Sequence, residues 1–405
     1  MVTATRTSPV IASEDEAITV ATALSTRFAE NAADRDRGRV LPHDQIRELA
    51  LSGLLALSVP AAHGGIDAST VTLTEVFRLL AEGDPSIAQI PHSHYTFLEA
   101  LRLQGSQTQQ EFFYSEVLAG KLFANAQSER GSATIDFDAT TLTPDGDGYV
   151  LEGRKYYSTG ALFAEWIAVR AALPGAEDAT TGKQTKVVAF VPRDAVGVSV
   201  VDDWEGMGQR TTASGTVVLE SVAVPAAHVV PFTPIFAGPT TYGARAQILH
   251  AAIDAGIANG ALRAAVEAAG ESRPYFEAGV ERAVEDPLLV QLAGETALTV
   301  RSATALLEVA ARSIDTARTH LTEATAAAAS IDAAVAKVAS ARASLAGSNA
   351  LFELGGTRSA SESANHSRYW RDARTHTLHD PERWKIQHVG RWTLSGTVPP
   401  RHGLL

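Results

Sequence analysis

The 405-residue chain contains no cysteine. That absence excludes a disulfide framework, a thiolate metal site, a cysteine-held iron-sulfur cluster and a cysteine nucleophile. It also lacks excess positive charge: 34 Lys and Arg face 46 Asp and Glu, for a formal charge of -12. Such a balance argues against a phosphate-tracking nucleic-acid binder and against a polybasic membrane clamp. No apolar run is long enough to span a bilayer, because even the Ala-rich stretch near residue 330 carries Asp332, Lys337 and Arg342. No export signal is expected either, since Glu14, Asp15 and Glu16 interrupt any basic-then-apolar pattern. Finally, neither G-x-G-x-x-G nor a P-loop occurs: Gly206, Gly208 and the pair Gly355, Gly356 lack the third glycine and the strand-to-helix setting. A nicotinamide therefore has no evident seat. The expectation is a cytoplasmic globular protein with neither nucleic acid nor membrane as partner.

What is present is enough apolar residue, 45%, to bury a large core. From about residue 12 to 120, runs such as IRELALSGLLAL and VTLTEVFRLLAEG repeat at helical spacing, with turns at Gly64, Gly65 and Asp84-Pro85. Near Lys121 the pattern changes to short alternating segments, including WIAVRAAL, KVVAFVP and SGTVVLESVAVP, with a tight turn at Asp147-Gly148. After Pro234 the helical period returns and persists, and the Ala-rich stretch reads as a packed helix. Segregated blocks of this kind predict an α+β protein: a helical N-terminal domain over 1–120, a central antiparallel β domain over 121–232 and a helical bundle over 233–405.

Three segments hold candidate chemistry. In RYWRDARTHTLHDPERWK, His376 and His379 stand three apart beside Asp380, so both imidazoles share a helix face. Zinc or iron ligation is one reading; helix-end capping before Asp380-Pro381 is the plainer one. In IPHSHYTF, His92 and His94 are two apart, so at most one of them reaches a shared cavity; Gln89 lies one turn earlier. In GRKYYSTG, a strand period places Tyr157 and Thr159 on one face, an aromatic wall beside a hydroxyl.

FANAQSERGSA, LEGRKYYSTG, WEGMGQRTTASGTVVLESVAVP, IDAGIANGA and SRPYF stand in order and at similar spacing along nearly the whole chain. In this the sequence resembles the acyl-CoA dehydrogenase superfamily. The closing WRDARTHTLHDP looks most like its two-component flavin monooxygenases of the dibenzothiophene and sulfur-acquisition branch. The resemblance implies a helical domain, a β domain and a C-terminal four-helix bundle around a flavin, in a homotetramer. It further implies reduced FMN delivered by a separate NAD(P)H flavin reductase, and a flavin C4a-hydroperoxide that oxygenates an organosulfur substrate with O2.

By the same resemblance His379 orients and protonates the peroxide and Thr159 lies near flavin N5; His92, displaced with His94 from the family's pocket positions, is a further catalytic candidate. Asn125 and Ser128 line the flavin, Tyr157 and Trp204 wall the ring or the substrate pocket, Arg358 approaches the flavin, and Arg273 reaches a neighbouring subunit's flavin phosphate. The substrate pocket is expected at Gln89, Ser93, His94 and Trp204. Gln89 and Ser93 align where the dibenzothiophene enzymes carry a histidine and, a turn on, a tyrosine, so the substrate need not be a bulky thiophene. A loop over Ser128 to Asp136 is expected to close over the site. Two alternatives stay open: an FAD-bearing acyl-CoA dehydrogenase with Asp380 as base, and a non-catalytic flavin-binding scaffold. Desaturation needs a carboxylate base, and the sequence there reads Leu378, His379, Asp380, Pro381.

Overall fold

The acidic run near the start of the chain is the first turn of a helix. Ser13 accepts the Glu16 N–H, and three carboxylates sit where the helix dipole favours anions. The computed structural model describes residues 9–131, 134 and 136–405. Its N-terminal helices are α1 (Glu14–Ala29), α2 (Ala32–Gly38), α3 (His43–Ala50), α4 (Thr70–Gly83), α5 (Pro85–Gln89), α6 (His92–Gln104) and α7 (Gln107–Leu118). Asp84 caps α5 through the Ser86 and Ile87 N–H groups and also pairs with buried Arg35, which fixes the corner from which α6 departs.

The strands are β1 (Phe123–Ala126), β2 (Thr141–Asp145), β3 (Gly148–Lys155), β4 (Trp166–Ala172), β5 (Lys186–Pro192), β6 (Val198–Val201), β7 (Thr216–Pro225) and β8 (Val229–Pro231). They form one sheet in the order β6-β7-β3-β2-β4-β5-β8, with β1 added to β4. The expected antiparallel pairing holds, β4 with β5 included, except where β4 meets β1 and β2. This strand runs parallel to β1 from Phe123 opposite Trp166, and parallel to β2 at Thr141 opposite Ala172. The β2–β3 hairpin at Gly146 is what returns the chain to β4 in the direction of its neighbours.

Long helices close the molecule: α8 (Tyr242–Glu271), α9 (Pro287–Thr319), α10 (Glu323–Gly355), α11 (Ser367–His376) and α12 (Glu382–Ser395). α8 is the central one. It packs on α4 and α6 with one side and along α10 with the other, while α9, α11 and α12 lean on α10. Small residues permit the close approach: a Cβ at Gly256 would meet the Arg78 carbonyl of α4. The Ala-rich segment is thus packed helix, as its period suggests. Among the described residues no helix is long and apolar enough to cross a membrane.

One buried ionic hub holds the β domain together. Asp138 receives Lys155 Nζ at 3.0 Å, Arg170 Nε at 2.8 Å and Lys186 Nζ at 3.2 Å, and Lys155 is fully buried. Burial alone would raise the Asp138 carboxyl, but Arg170, Lys155 and Lys186 hold it below its usual range. Replacing Asp138 by Ala leaves Lys155 without that partner, so guanidinium unfolding should show a loss of roughly 3–5 kcal/mol. A loss below 1 kcal/mol would show that the hub is not needed.

Candidate active site

α6 opens with His92, whose Nε2 donates to the Ala246 carbonyl of α8 at 2.9 Å. That bond aims the ring along α8, where it stacks on His250 with centroids 3.8 Å apart and planes at 29°. His379 lies on His250 as well, at 3.9 Å and 37°. Two rings this close and this nearly parallel cannot share one face, so His250 is sandwiched between them. Behind it, His250 Nδ1 meets His376 Nε2 at 3.1 Å, and His376 Nδ1 donates to Asp254 Oδ1 at 2.6 Å. The second oxygen of Asp254 takes Lys337 Nζ of α10 at 2.8 Å.

Burial sets the charge here. It pushes His92 down to about 3 and His250 well below the ordinary histidine range. It also lowers His376, against the pull of Asp254 and with the help of Lys337. Burial would raise Asp254, yet His376 and Lys337 outweigh it and keep the carboxylate ionised. The buried rings of His92 and His250 are therefore neutral, and they are backed by one compensated charge pair. Among the described residues no group of three or more potential ligands is arranged to hold a metal ion, and both His376 nitrogens are occupied.

Asp380 is buried and bonded to Lys385 Nζ at 3.0 Å, while His379 Nδ1 stands 3.9 Å away, beyond hydrogen-bond range. Burial would raise this carboxyl, but the facing His379 and the Lys337 and Lys385 charges hold it far below the usual carboxylate range. Its buried Oδ1 has no hydrogen-bond partner, but a carboxyl held that low is a poor base, and that removes the support for Asp380 in a desaturation. His379, by contrast, keeps an exposed side chain.

The second half of the site lies on the β domain and corrects one expectation. GRKYYSTG is not a strand through Tyr157 and Thr159: β3 ends at Lys155, Tyr156 makes a single bridge to Ser128, and Tyr157 adopts φ +56°. The left-handed residue breaks the two-residue period. Thr159 is then set by a hydroxyl chain, Thr159 Oγ1 to Ser214 Oγ at 2.7 Å and Ser214 Oγ to Thr212 Oγ1 at 2.7 Å. Thr212 donates to the Gln209 carbonyl at 3.1 Å, which fixes the direction of the whole chain. Ser214 must donate to Thr212 and Thr159 to Ser214, leaving the Thr159 oxygen free to accept an N–H. Tyr157 stands edge-on to Trp204 at 6.2 Å, with Arg130 over its ring at 5.4 Å.

Gln209 joins this half to the helices. Its carbonyl also accepts from Trp204 Nε1 at 2.9 Å, and its N–H donates to Asp372 Oδ1 of α11 at 2.5 Å. A Cβ at neighbouring Gly208 would run into the Arg371 carbonyl, so only glycine lets the loop pass that closely. Burial, together with the Asp36 and Asp84 charges, pushes Asp372 up to about 7.

The remaining candidates divide. Asn125 Nδ2 donates to Ser93 Oγ at 2.8 Å, linking β1 to α6, and Gln89 is buried with its Oε1 unpartnered. His94 is a correction: its Nε2 donates to the Leu55 carbonyl at 2.8 Å and its Nδ1 accepts the Phe123 N–H at 3.2 Å. Both nitrogens are spent on backbone, so none remains for a substrate. Ser128, Arg273 and Arg358 are exposed, and among the described residues Arg273 has no ion pair. Residues 132, 133 and 135 of the expected closing loop lie outside the described residues; Lys155 Nζ binds Glu129 Oε1 at 2.7 Å on one side of them and Asp138 on the other.

Models of the acyl-CoA dehydrogenase N-terminal, middle and C-terminal domains match residues 14–121, 123–222 and 248–381. The chain belongs to the acyl-CoA dehydrogenase family. It is 31% identical over 404 residues to a dibenzothiophene monooxygenase of Rhodococcus qingshengii, covering 96% of each chain. It is 32% identical over 403 residues to the probable FMNH2-dependent monooxygenase SfnC of Pseudomonas putida, covering 97% of this chain and 98% of the other. The crystal structure of FMN-bound TdsC from Paenibacillus sp. A11-2 superposes with a TM-score of 0.90 at 31% identity, over 96% of this chain and all of the other.

Sequence reasoning missed His250, Asp254, Lys337, Ser214, Thr212, Gln209 and Asp372. The first three carried a signal: HAAIDAGIA and the Ala-rich segment place a histidine and two charges on helices otherwise apolar enough to be buried, four residues apart in the case of His250 and Asp254.

The raised Asp372 gives a pH test. Its folded value lies above the unfolded one near 3.8, so the folded state holds the extra proton between these values. That contribution is fully present below about pH 4 and is lost as pH rises through 7, by at most about 1.4 kcal/mol per unit. Asp372→Asn keeps the acceptor for Gln209 and should flatten the fall in stability measured by denaturant titration from pH 4 to 8. An unchanged slope would contradict the buried, protonated carboxyl.

Proposed function

We propose that this chain is a reduced-FMN-dependent monooxygenase of the two-component type, acting on an organosulfur compound of the thiophene, sulfide or sulfone class. The observation that carries the reading is the stack of three histidines at the site, while the adjacent carboxylate, Asp380, pairs with Lys385 and is held far below its usual range. Acyl-CoA desaturation needs a free carboxylate base; oxygen transfer needs a neutral proton donor near pH 7.

The residues fit a reduced flavin. Thr159 offers an acceptor, and reduced flavin N5 carries an N–H, the complement that the hydroxyl chain leaves open. When bound, reduced FMN supplies two electrons and the C4a carbon that takes up dioxygen. Around it Tyr157 and Trp204 wall the ring, Asn125 and Ser128 run along it, and Arg358 approaches it. His379 orients and protonates the oxygen, with His92 holding the stack from the far side. Gln89 and Ser93 line the substrate pocket, a polar lining that favours a small or oxidised sulfur compound over a bulky aromatic. The site would have to keep water out, because water opens a side reaction that wastes the activated oxygen as hydrogen peroxide.

Two partners belong to the proposal. A separate NAD(P)H flavin reductase supplies the reduced FMN, in keeping with the lack of a dinucleotide fingerprint and with a relative named as FMNH2-dependent. Further copies of the chain complete a homotetramer in which Arg273 reaches the neighbour's flavin phosphate. Exposed Trp384, Ile386 and Leu394 on α12 suit such association.

Purified protein incubated with FMN, a reductase, oxygen and a panel of thiophenes, sulfides and sulfones should yield an oxygenated product by mass spectrometry. Electron transfer from an acyl-CoA to an acceptor, with no oxygenated product, would replace the assignment. His379→Ala should leave FMN affinity nearly intact and lower product per flavin oxidised by about tenfold or more, with hydrogen peroxide rising to match. Arg273→Ala should weaken FMN binding and regain it in mixed oligomers; full activity in a monomer would refute the shared site.

A further inference from the structure

Lys337, Asp254 and His376 lie behind the histidine stack, out of reach of any ligand on its exposed side, and the oxygen-transfer reading assigns them nothing. Their order is specific. Asp254 sits between Lys337 Nζ at 2.8 Å and His376 Nδ1 at 2.6 Å, and His376 Nε2 meets His250 Nδ1 at 3.1 Å. All of these side chains are buried to 4% exposure or less.

Proton positions follow from the acceptors. A carboxylate cannot donate, so His376 carries its proton on Nδ1 and, while neutral, presents Nε2 as an acceptor. His250 then donates from Nδ1 and is left with the lone pair on Nε2. We infer that Lys337, Asp254 and His376 are positioning residues of a one-proton relay, in which a proton arriving at His250 Nε2 sends the His250 Nδ1 proton to His376 Nε2. In this step one N–H bond forms at His250 Nε2, one breaks at His250 Nδ1 and one forms at His376 Nε2. His250 ends neutral, and His376 becomes an imidazolium against Asp254. The reverse movement returns the proton to the site. The inference rests on the proposed function for its use: the dioxygen atom that is not transferred leaves as water and needs a proton as it departs.

Lys337 decides whether the relay starts empty. Asp254 alone beside His376 would keep that ring protonated, whereas the Lys337 charge cancels Asp254 and lets burial hold His376 neutral. The groups facing His376 are Asp254 and His250 from α8, Lys337 from α10, and His379 from the segment after α11. His92 lies beyond His250, and Lys385 of α12 acts through Asp380.

The test is a pH titration of the histidines by NMR on isotope-labelled, flavin-free protein. In the wild type at pH 7, His376 should be neutral with its proton on Nδ1. Lys337→Met should raise its titration midpoint by about one unit or more. The double variant Lys337→Met/Asp254→Asn, which buries no charge of this pair, should bring it back down, and a cooperative melt confirms that each variant is folded. With flavin and reductase, Lys337→Met should carry the acid limb of product per flavin to higher pH by the same interval. An unmoved His376 midpoint in folded Lys337→Met, or His250 taking the first proton, overturns the relay. Should the midpoints move as expected while no sulfur compound is oxygenated, the relay stands and the proposed function falls. Unmoved midpoints with intact product formation sink the relay alone.

Discussion

A single buried carboxylate constrains the helical half of the molecule. Asp254 lies in the middle of α8 with no access to water, and an ionised group there is tolerated only if its partners arrive with good geometry. Lys337 comes from α10 and His376 from the end of α11, so the three helices are held in one axial register by the need to satisfy two oxygens. That register places His250, one turn before Asp254, against the inner edge of His376 and between the rings of His92 and His379. The small residues along α8 are the other side of the same constraint, since backbones can approach this closely only where side chains stay out of the way.

α11 carries the constraint across to the β domain. Asp372 and His376 are four residues apart and share a face of that helix. One holds the Gln209 N–H, the other reaches Asp254 and His250. The Gln209 carbonyl anchors Trp204 and the hydroxyl chain ending at Thr159, so the hydrogen-bond acceptor on one wall and the histidine stack on the other are joined through a single turn of helix. A displacement of α11 would disturb both walls together.

Much of this was legible in the sequence. Helical period and the switch to short alternating strands mark the three blocks, and the family motifs point to His379, Thr159, Asn125 and Trp204. Four things were hidden, each for a physical reason. The parallel pairings of β4 depend on long-range strand order, which periodicity does not encode. The break after Lys155 depends on the left-handed Tyr157, and nothing in an aromatic residue announces that conformation. The separate fates of His92 and His94 depend on which helix face meets α8: His92 finds a carbonyl on it, whereas His94 turns back to Leu55 and Phe123. The buried charges in Ala-rich helices were visible as anomalies, but their convergence was not, because α8, α10 and α11 are far apart in the chain.

The stacking distances limit how much charge the site can hold. Two imidazolium rings at the observed 3.8 or 3.9 Å would repel by about 4 kcal/mol at an effective dielectric constant near 20, and burial adds a penalty for each charge. One added proton is different. It can reside on His376, beside Asp254 and outside the stack, with the buried rings of His92 and His250 still neutral. The buried part of the wall therefore passes between net zero and one positive charge. A catalytic carboxylate in the same place would be charged at rest and neutral after accepting a proton, the opposite sequence. Buried rings that carry no charge at rest, backed by a place for one proton, suit the oxygen transfer proposed above.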